Sequence, residues 1–119
     1  MKYLIADDNE NIRRVIRQAL GLEGASVIEC SSGDDALAAY ARFKPDYVLM
    51  DIQMAGKDGI RTTEEICRRF PDARVVIVTD FDTPAFRQAA LNAGAYAFIS
   101  KEEIFKLRDM LHNLKDELR

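Results

Sequence analysis

Polar side chains that can bind a cation or a phosphoryl group follow four of the short apolar runs in this sequence. The first run ends in the adjacent carboxylates Asp7 and Asp8, and a later run is followed by Asp51. A hydroxyl group, Thr79, closes the next run, and an amine, Lys101, follows the last one. Carboxylates that lie close together repel one another unless a cation compensates them. The chemistry therefore depends on whether these five side chains meet.

Three carboxylates at one place are typical of a magnesium site. Mg²⁺ prefers oxygen ligands and keeps several waters, so one or two direct carboxylates suffice and a phosphoryl oxygen can complete the shell. We therefore predict that Asp7, Asp8 and Asp51 bind Mg²⁺, with Mn²⁺ as the alternative ion. Asp51 can also act as a nucleophile toward phosphorus, with Lys101 and Thr79 stabilising the oxygens of the transferred group.

The loop that follows Asp51 reads "DIQMAGKDGI" and contains Gly56 and Gly59. Glycine allows a tight turn and lets the backbone approach a neighbouring group closely. This composition predicts a loop whose backbone lies next to a ligand at Asp51.

Apolar runs and segments with helical periodicity alternate along the chain. The runs predict strands, which we place at Tyr3–Ala6, Val27–Cys30, Tyr47–Met50, Val75–Thr79 and Ala95–Ile99. The first helical segment has one apolar face, formed by Ile12, Val15, Ile16, Ala19 and Leu20. The last apolar stripe runs over residues 104–118.

Local signals mark the ends of the predicted helices. Ser32 and Thr83 are of the residue types that cap helix amino termini, and Pro84 suits the first helical position. The third helix is predicted at Ile60–Phe70, before Pro71, and Gly94 ends the fourth. These signals give five helices between and after five strands.

This alternation predicts an α/β fold, a doubly wound five-stranded parallel sheet with five helices on its two faces. Binding sites of such folds lie at the carboxyl ends of the strands, near the topological switch point. Because the polar residues described above follow strand ends, we expect them to converge at one edge of the sheet.

With these residues in place, the chain resembles the receiver domain of two-component response regulators along essentially its full length, residues 1–119 as one domain. The segment "AGAYAFISK" is similar to the one that ends in the family's lysine. The resemblance implies a flavodoxin-like sheet of strand order 2-1-3-4-5. It also implies that Asp51 is the phosphoacceptor and that Thr79 and Lys101 contact the phosphoryl group.

The same resemblance assigns the metal ligands and a switch residue. Asp8, Asp51 and the Gln53 carbonyl would bind the ion directly, and Asp7 would bind it directly or through water. Tyr96 would be the aromatic switch that responds to Thr79.

The resemblance further implies a signalling protein, with no enzymatic activity beyond its own phosphorylation and dephosphorylation. A sensor histidine kinase would phosphorylate Asp51, and the surface formed by helix 4, strand 5 and helix 5 would then regulate an output domain or a downstream protein. The segment "SKEEI" resembles receivers that precede helix-turn-helix DNA-binding domains. The expected output is therefore transcription, with DNA contacted only through a domain absent from this chain and with homodimerisation on phosphorylation.

Three positions depart from the family pattern, and one of them is Glu102, which follows Lys101 where many members have proline. Ala55 stands where proline is common, so the loop would be less rigid. Asp80 follows Thr79 where a small residue is usual, and its charge could repel a phosphoryl group. Asp80 is the one feature that favours an alternative, a pseudo-receiver that binds partners without phosphorylation.

A small Mg²⁺-dependent phosphatase of the haloacid dehalogenase type is a weaker alternative. Such enzymes also place a nucleophilic aspartate at a strand end, but they need a second acid two residues later. That position is Gln53 in this chain.

The composition excludes several other classes. The chain has 119 residues, 48% hydrophobic residues and a formal net charge of -3, which suits one globular domain and argues against a dominant phosphate-backbone-binding surface. Asp7 and Asp8 interrupt the N-terminal apolar run before it could serve as a signal peptide. We therefore expect a cytoplasmic protein with no membrane partner.

Overall fold

A five-stranded parallel sheet forms the centre of the molecule. The structure is a computed structural model that describes residues 1–21, 25–54, 56 and 58–117, with side chains described as far as residue 114. The strands are β1 (Lys2–Ala6), β2 (Ser26–Cys30), β3 (Tyr47–Met50), β4 (Val75–Thr79) and β5 (Ala97–Ser100). Their order in the sheet is β2-β1-β3-β4-β5, and every neighbouring pair is parallel. The predicted fold class and strand order are confirmed.

Helices connect the strands and cover both faces of the sheet. They are α1 (Glu10–Leu20), α2 (Gly33–Phe43), α3 (Gly59–Arg69), α4 (Pro84–Ala93) and α5 (Leu107–Glu117), with a short 3₁₀ helix at Lys101–Lys106 before α5. Residues of α2, α3 and α4 pack on one face of the sheet, and residues of α1 and α5 pack on the other. This is the doubly wound arrangement that parallel strands require, since each crossover connection is a helix.

The ends of the helices follow local chemistry. Ser32 accepts a hydrogen bond from the Asp35 amide at the start of α2, and Thr83 does the same for Phe86 at the start of α4. Gly94 ends α4 in the left-handed conformation, at φ 100°. These three predicted caps are confirmed. Side-chain oxygens satisfy the free amides of a first turn, and glycine tolerates positive φ without strain.

The structure corrects several predicted boundaries. Strand β5 begins at Ala97, two residues later than predicted, so Tyr96 lies outside it. Val15 was predicted on the buried face of α1 but is 41% exposed, because the face that meets the sheet is centred on Ile16 and Leu20. The last apolar stripe is divided between the 3₁₀ helix and α5, and its final residue, Leu118, lies outside the described residues.

The central strands are buried on both faces. Every residue of β3 and β4 is buried, which explains why these runs are continuously apolar rather than alternating. No helix among the described residues combines the length and the apolar character that crossing a membrane requires.

Candidate functional site

The carboxyl ends of β1 and β3 lie side by side and carry the predicted acids. The Asp51 amide donates to the Ala6 carbonyl at 2.9 Å, and the Asp7 amide donates to the Cys30 carbonyl at 3.1 Å. These backbone bonds extend the sheet ladder by one residue beyond each strand. They hold Asp7 and Asp51 next to each other at the point where α1 and the loop after β3 diverge.

Asp7, Asp8 and Asp51 form one carboxylate cluster. Each residue offers a carboxylate oxygen, and these oxygens all lie within 4.8 Å of one another. Asp7 and Asp51 are buried, whereas Asp8 is exposed. The predicted convergence of the three acids is therefore present, with Asp8 at its solvent-facing side.

Lys101 places a positive charge beside the cluster. Its Nζ lies 2.9 Å from the Oδ2 of Asp7 and 3.4 Å from the Oδ2 of Asp51. A longer contact of 4.0 Å joins it to Asp80, whose side chain is 68% exposed. One ammonium group therefore faces three carboxylates from three different strand ends.

The charges and the burial of this site shift two pKa values. Burial, and to a lesser extent the charge of Asp7, raise the pKa of Asp51 to about 6, although Lys101 acts in the opposite direction. Burial alone lowers the pKa of Lys101, but the hydrogen bond that Lys101 donates to Asp7 and the charges of Asp51, Asp7 and Asp80 outweigh burial, so this pKa is raised. Lys101 thus stays protonated at neutral pH, while the Asp51 carboxylate carries an uncompensated electrostatic cost.

The donor set fits Mg²⁺. Carboxylate oxygens are the ligands this ion prefers, and the excess of acids over the single Lys101 leaves negative charge for a cation to neutralise. Exposed Asp8 gives an ion access to the two buried acids. Gln53 is exposed and lines the same surface groove as Asp8. This position is compatible with the predicted role of the Gln53 carbonyl as a ligand.

Gly59 allows the loop after Asp51 to return to the site. Its amide donates to the Ile52 carbonyl at 2.8 Å, and a β-carbon added to Gly59 would overlap the backbone carbonyl of Asp51. Asp58 caps α3 by accepting from the Arg61 amide. The predicted close approach is therefore made to the backbone of Asp51. Gly56 adopts positive φ, as a tight turn requires, and Ala55 lies outside the described residues.

Thr79 is fully buried at the end of β4, as predicted. Its Oγ1 accepts a hydrogen bond of 3.1 Å from the Phe81 amide, so the hydroxyl is attached to the loop that leads into α4. Movement of this hydroxyl would therefore change the loop as well as the site.

The predicted route from Thr79 to Tyr96 requires correction. The Tyr96 amide donates to the Val75 carbonyl, at the start of β4, and the Tyr96 ring lies 6.2 Å from the ring of Tyr47. Thr79 lies four residues further along β4, about 13 Å away at the usual rise of a strand. Tyr96 therefore lies at the amino-terminal end of β4, whereas Thr79 lies at its carboxyl end. Space vacated by Thr79 would not adjoin the Tyr96 ring.

Two supporting residues near the site were missed from the sequence. The Arg13 guanidinium donates to the Asp7 carbonyl at 2.7 Å, and the Asp7 carboxylate accepts from the Asn9 amide at 2.8 Å. Asn9, an ordinary helix-capping type at the start of α1, was identifiable from the sequence. Arg13 was not, because only the rotation of α1 shows that its side chain turns back toward β1.

The comparisons agree with this geometry. The family model described as the response regulator receiver domain matches residues 3–115. The response regulator GacA of Pseudomonas aeruginosa is 35% identical over 103 residues, which cover 85% of this chain and 48% of that protein. The response regulator MprA of Mycobacterium leprae is 30% identical over 119 residues, which cover 100% of this chain and 51% of that protein.

A solved structure gives the same result for the fold. A DNA-binding response regulator of the LuxR family from Staphylococcus aureus superposes with a TM-score of 0.85 at 26% identity, covering 95% of this chain and 97% of that one. The chain belongs to the response regulator receiver domain family. It spans about half the length of the curated relatives it matches.

Proposed function

We propose that this receiver domain accepts a phosphoryl group on Asp51 in a Mg²⁺-dependent reaction, with the phosphohistidine of a sensor kinase as the donor. The observation that carries the proposal is the buried Asp51 carboxylate, which lies beside a second buried acid, Asp7, and 3.4 Å from Lys101 at the carboxyl end of the sheet. Asp8, Asp7, Asp51 and the Gln53 carbonyl would hold the ion.

The transfer forms one bond and breaks one. An oxygen of the Asp51 carboxylate attacks phosphorus, the bond from phosphorus to the donor nitrogen breaks, and the imidazole leaves with the electron pair. Lys101 remains charged beside the incoming oxygens, and the Thr79 hydroxyl donates to one of them. The chemistry that Mg²⁺ supplies when bound is neutralisation of the phosphoryl oxygens.

Intact-mass measurement tests the proposal directly. Incubation with Mg²⁺ and a small phosphodonor such as acetyl phosphate should add the mass of one phosphoryl group to the wild type. Asp51→Asn, and wild type in excess chelator, should gain none. A wild type that stays unmodified over a range of donor concentrations would favour the pseudo-receiver, whereas steady hydrolysis of an unactivated phosphate monoester, which is a phosphatase substrate and not a small phosphodonor, would favour the phosphatase.

The output and the partners belong to the same proposal. Phosphorylation would change the surface of α4, β5 and α5, promote homodimerisation on it and regulate transcription through an output domain. Names that include "DNA-binding response regulator" among the structural neighbours support a transcriptional output. The proposal also retains a cytoplasmic location, where the sensor kinase would meet this domain.

A further inference from the structure

The loop between β4 and α4 is attached to α4 by two side-chain contacts in addition to the Thr83 cap. Asp82 accepts hydrogen bonds from Arg87 at both carboxylate oxygens, from Nε at 2.5 Å and from a terminal nitrogen at 3.0 Å. The Phe81 ring lies 5.8 Å from the Phe86 ring. A paired bidentate contact of this kind has more geometric definition than an ordinary surface ion pair.

Arg87 also reaches the neighbouring strand. Its guanidinium carbon lies 4.7 Å from the centroid of the Phe98 ring, within the range of a cation–π contact. Phe98 occupies β5 and packs against the same face of the sheet as α4. One side chain therefore contacts the loop, through Asp82, and the strand, through Phe98.

The same loop holds the hydroxyl that would contact a phosphoryl group. The Phe81 amide, one residue before Asp82, donates to Thr79 Oγ1. Because of this hydrogen bond, the buried Thr79 hydroxyl can move toward Asp51 only if the bond lengthens or the loop moves with it. A contact that holds Asp82 in place therefore opposes that movement.

We propose that Arg87, with Asp82 and Phe98, is a positioning residue that holds the β4–α4 loop in place and thereby restrains Thr79. The inference rests on the proposed function in assuming that Thr79 contacts a phosphoryl group on Asp51. Release of Arg87 from Asp82 would free the loop, uncover the Phe98 ring and let Thr79 approach Asp51. Arg87 would thus connect the site to the α4–β5 surface.

The first experiment measures the loop alone, without metal or phosphoryl group. Amide hydrogen exchange by NMR reports local opening at Phe81. Arg87→Ala and Asp82→Asn should each increase exchange of the Phe81 amide by about twofold to fivefold, as expected for loss of an exposed ion pair. Their double variant should show little more than either single variant, because both remove the same contact.

Matched variants separate positioning from general loss of helix stability. Gln88→Ala removes a neighbouring side chain of α4 that bonds along the helix, to Asn92, and should leave Phe81 exchange unchanged. Arg87→Lys keeps the charge but loses the fork that pairs with a carboxylate, so it should resemble Arg87→Ala. Unchanged Phe81 exchange in Arg87→Ala would overturn the proposal.

The second experiment measures the link to the site. Beryllofluoride with Mg²⁺ serves as the phosphoryl mimic, and its half-saturating concentration should fall by about twofold to fivefold in Arg87→Ala. An unchanged or higher concentration would overturn the restraint on Thr79. If the wild type does not bind beryllofluoride at all, the proposed function fails. The role of Arg87 in holding the β4–α4 loop is then decided by Phe81 exchange alone.

Discussion

At the scale of single residues, Asp51 combines burial with a neighbouring carboxylate. Both effects favour its neutral form, so its pKa rises to about 6 although Lys101 lies 3.4 Å away. A carboxylate in this environment is held at a free-energy cost that a bound cation or a bond to phosphorus would relieve.

This cost should be visible in the pH dependence of stability without metal. The folded pKa of Asp51 lies above the value of an unfolded aspartate, so its contribution to stability is present below about pH 4 and is lost as pH rises through about 6. In chelator, Asp51→Asn should therefore gain stability relative to wild type by about 2–3 kcal/mol between pH 4 and pH 7.5. Urea unfolding at both pH values measures this gain.

A matched charge removal provides the control for that experiment. Asp72→Asn removes an exposed carboxylate outside the site, and its stability relative to wild type should change far less with pH. A difference between Asp51→Asn and wild type that stays constant from pH 4 to pH 7.5 would show that Asp51 is not held at such a cost.

Asp80 places a further negative charge beside the site. It lies 4.0 Å from Lys101 and is mostly exposed, so it competes weakly for the ammonium group and repels an approaching phosphodonor. Asp80→Ala should speed phosphorylation by small donors about twofold to fivefold at low salt, as loss of an exposed charge interaction predicts. Intact-mass time courses at low and high salt measure the effect, and equal rates at low salt would contradict it.

At the scale of elements, the start of α3 packs directly against the backbone of Asp51. Gly59 is the first residue of α3, and its Cα lies against the backbone of Asp51 and Ile52 with no room for a side chain. The loop after β3 can return over Asp51 only because that space is open.

Gly59→Ala should therefore be strongly destabilising. The added methyl group would overlap a backbone carbonyl, which cannot move as a flexible side chain can, so the loop or β3 must shift. We expect a loss of about 2 kcal/mol or more in the free energy of unfolding, although alanine is the better helix former. Urea denaturation measures it. A variant as stable as wild type would mean that the backbone relaxes there without cost.

At the scale of the whole molecule, the four helical connections between the five strands bring four acids and one amine to one edge of the sheet. Their charges do not balance, because Lys101 faces Asp7, Asp51 and Asp80 while Asp8 adds a further acid. The folded state should therefore bind a divalent cation more tightly than the unfolded chain does.

Added Mg²⁺ should accordingly stabilise the fold. At a concentration ten times its dissociation constant, the gain should be about 1.4 kcal/mol, seen as a higher Tm. Asp8→Asn and Asp51→Asn should lose most of this gain, whereas Asp72→Asn should keep it. Calorimetry that shows equal Mg²⁺ binding by wild type and Asp51→Asn would contradict the predicted ligand set.

The sequence by itself determined the architecture and identified the polar residues that follow the strands. Continuous apolar runs marked strands buried on both faces, and capping residues such as Ser32 and Thr83 marked helix starts, because these signals depend on neighbours in the chain. The polar residues after the strands were identifiable for the same reason, since parallel strands end at a common edge.

Only the tertiary structure decided which side chains touch. The place of Tyr96 in "AGAYAFISK" favoured it as the switch residue. However, β5 begins after Tyr96, and its hydrogen bond to Val75 places it at the amino-terminal end of β4, away from Thr79. The contact of Arg87 with Asp82 and Phe98 joins a loop, a helix and a strand. Strand register and helix rotation set such contacts, and both result from packing of the whole core rather than from any short segment of sequence.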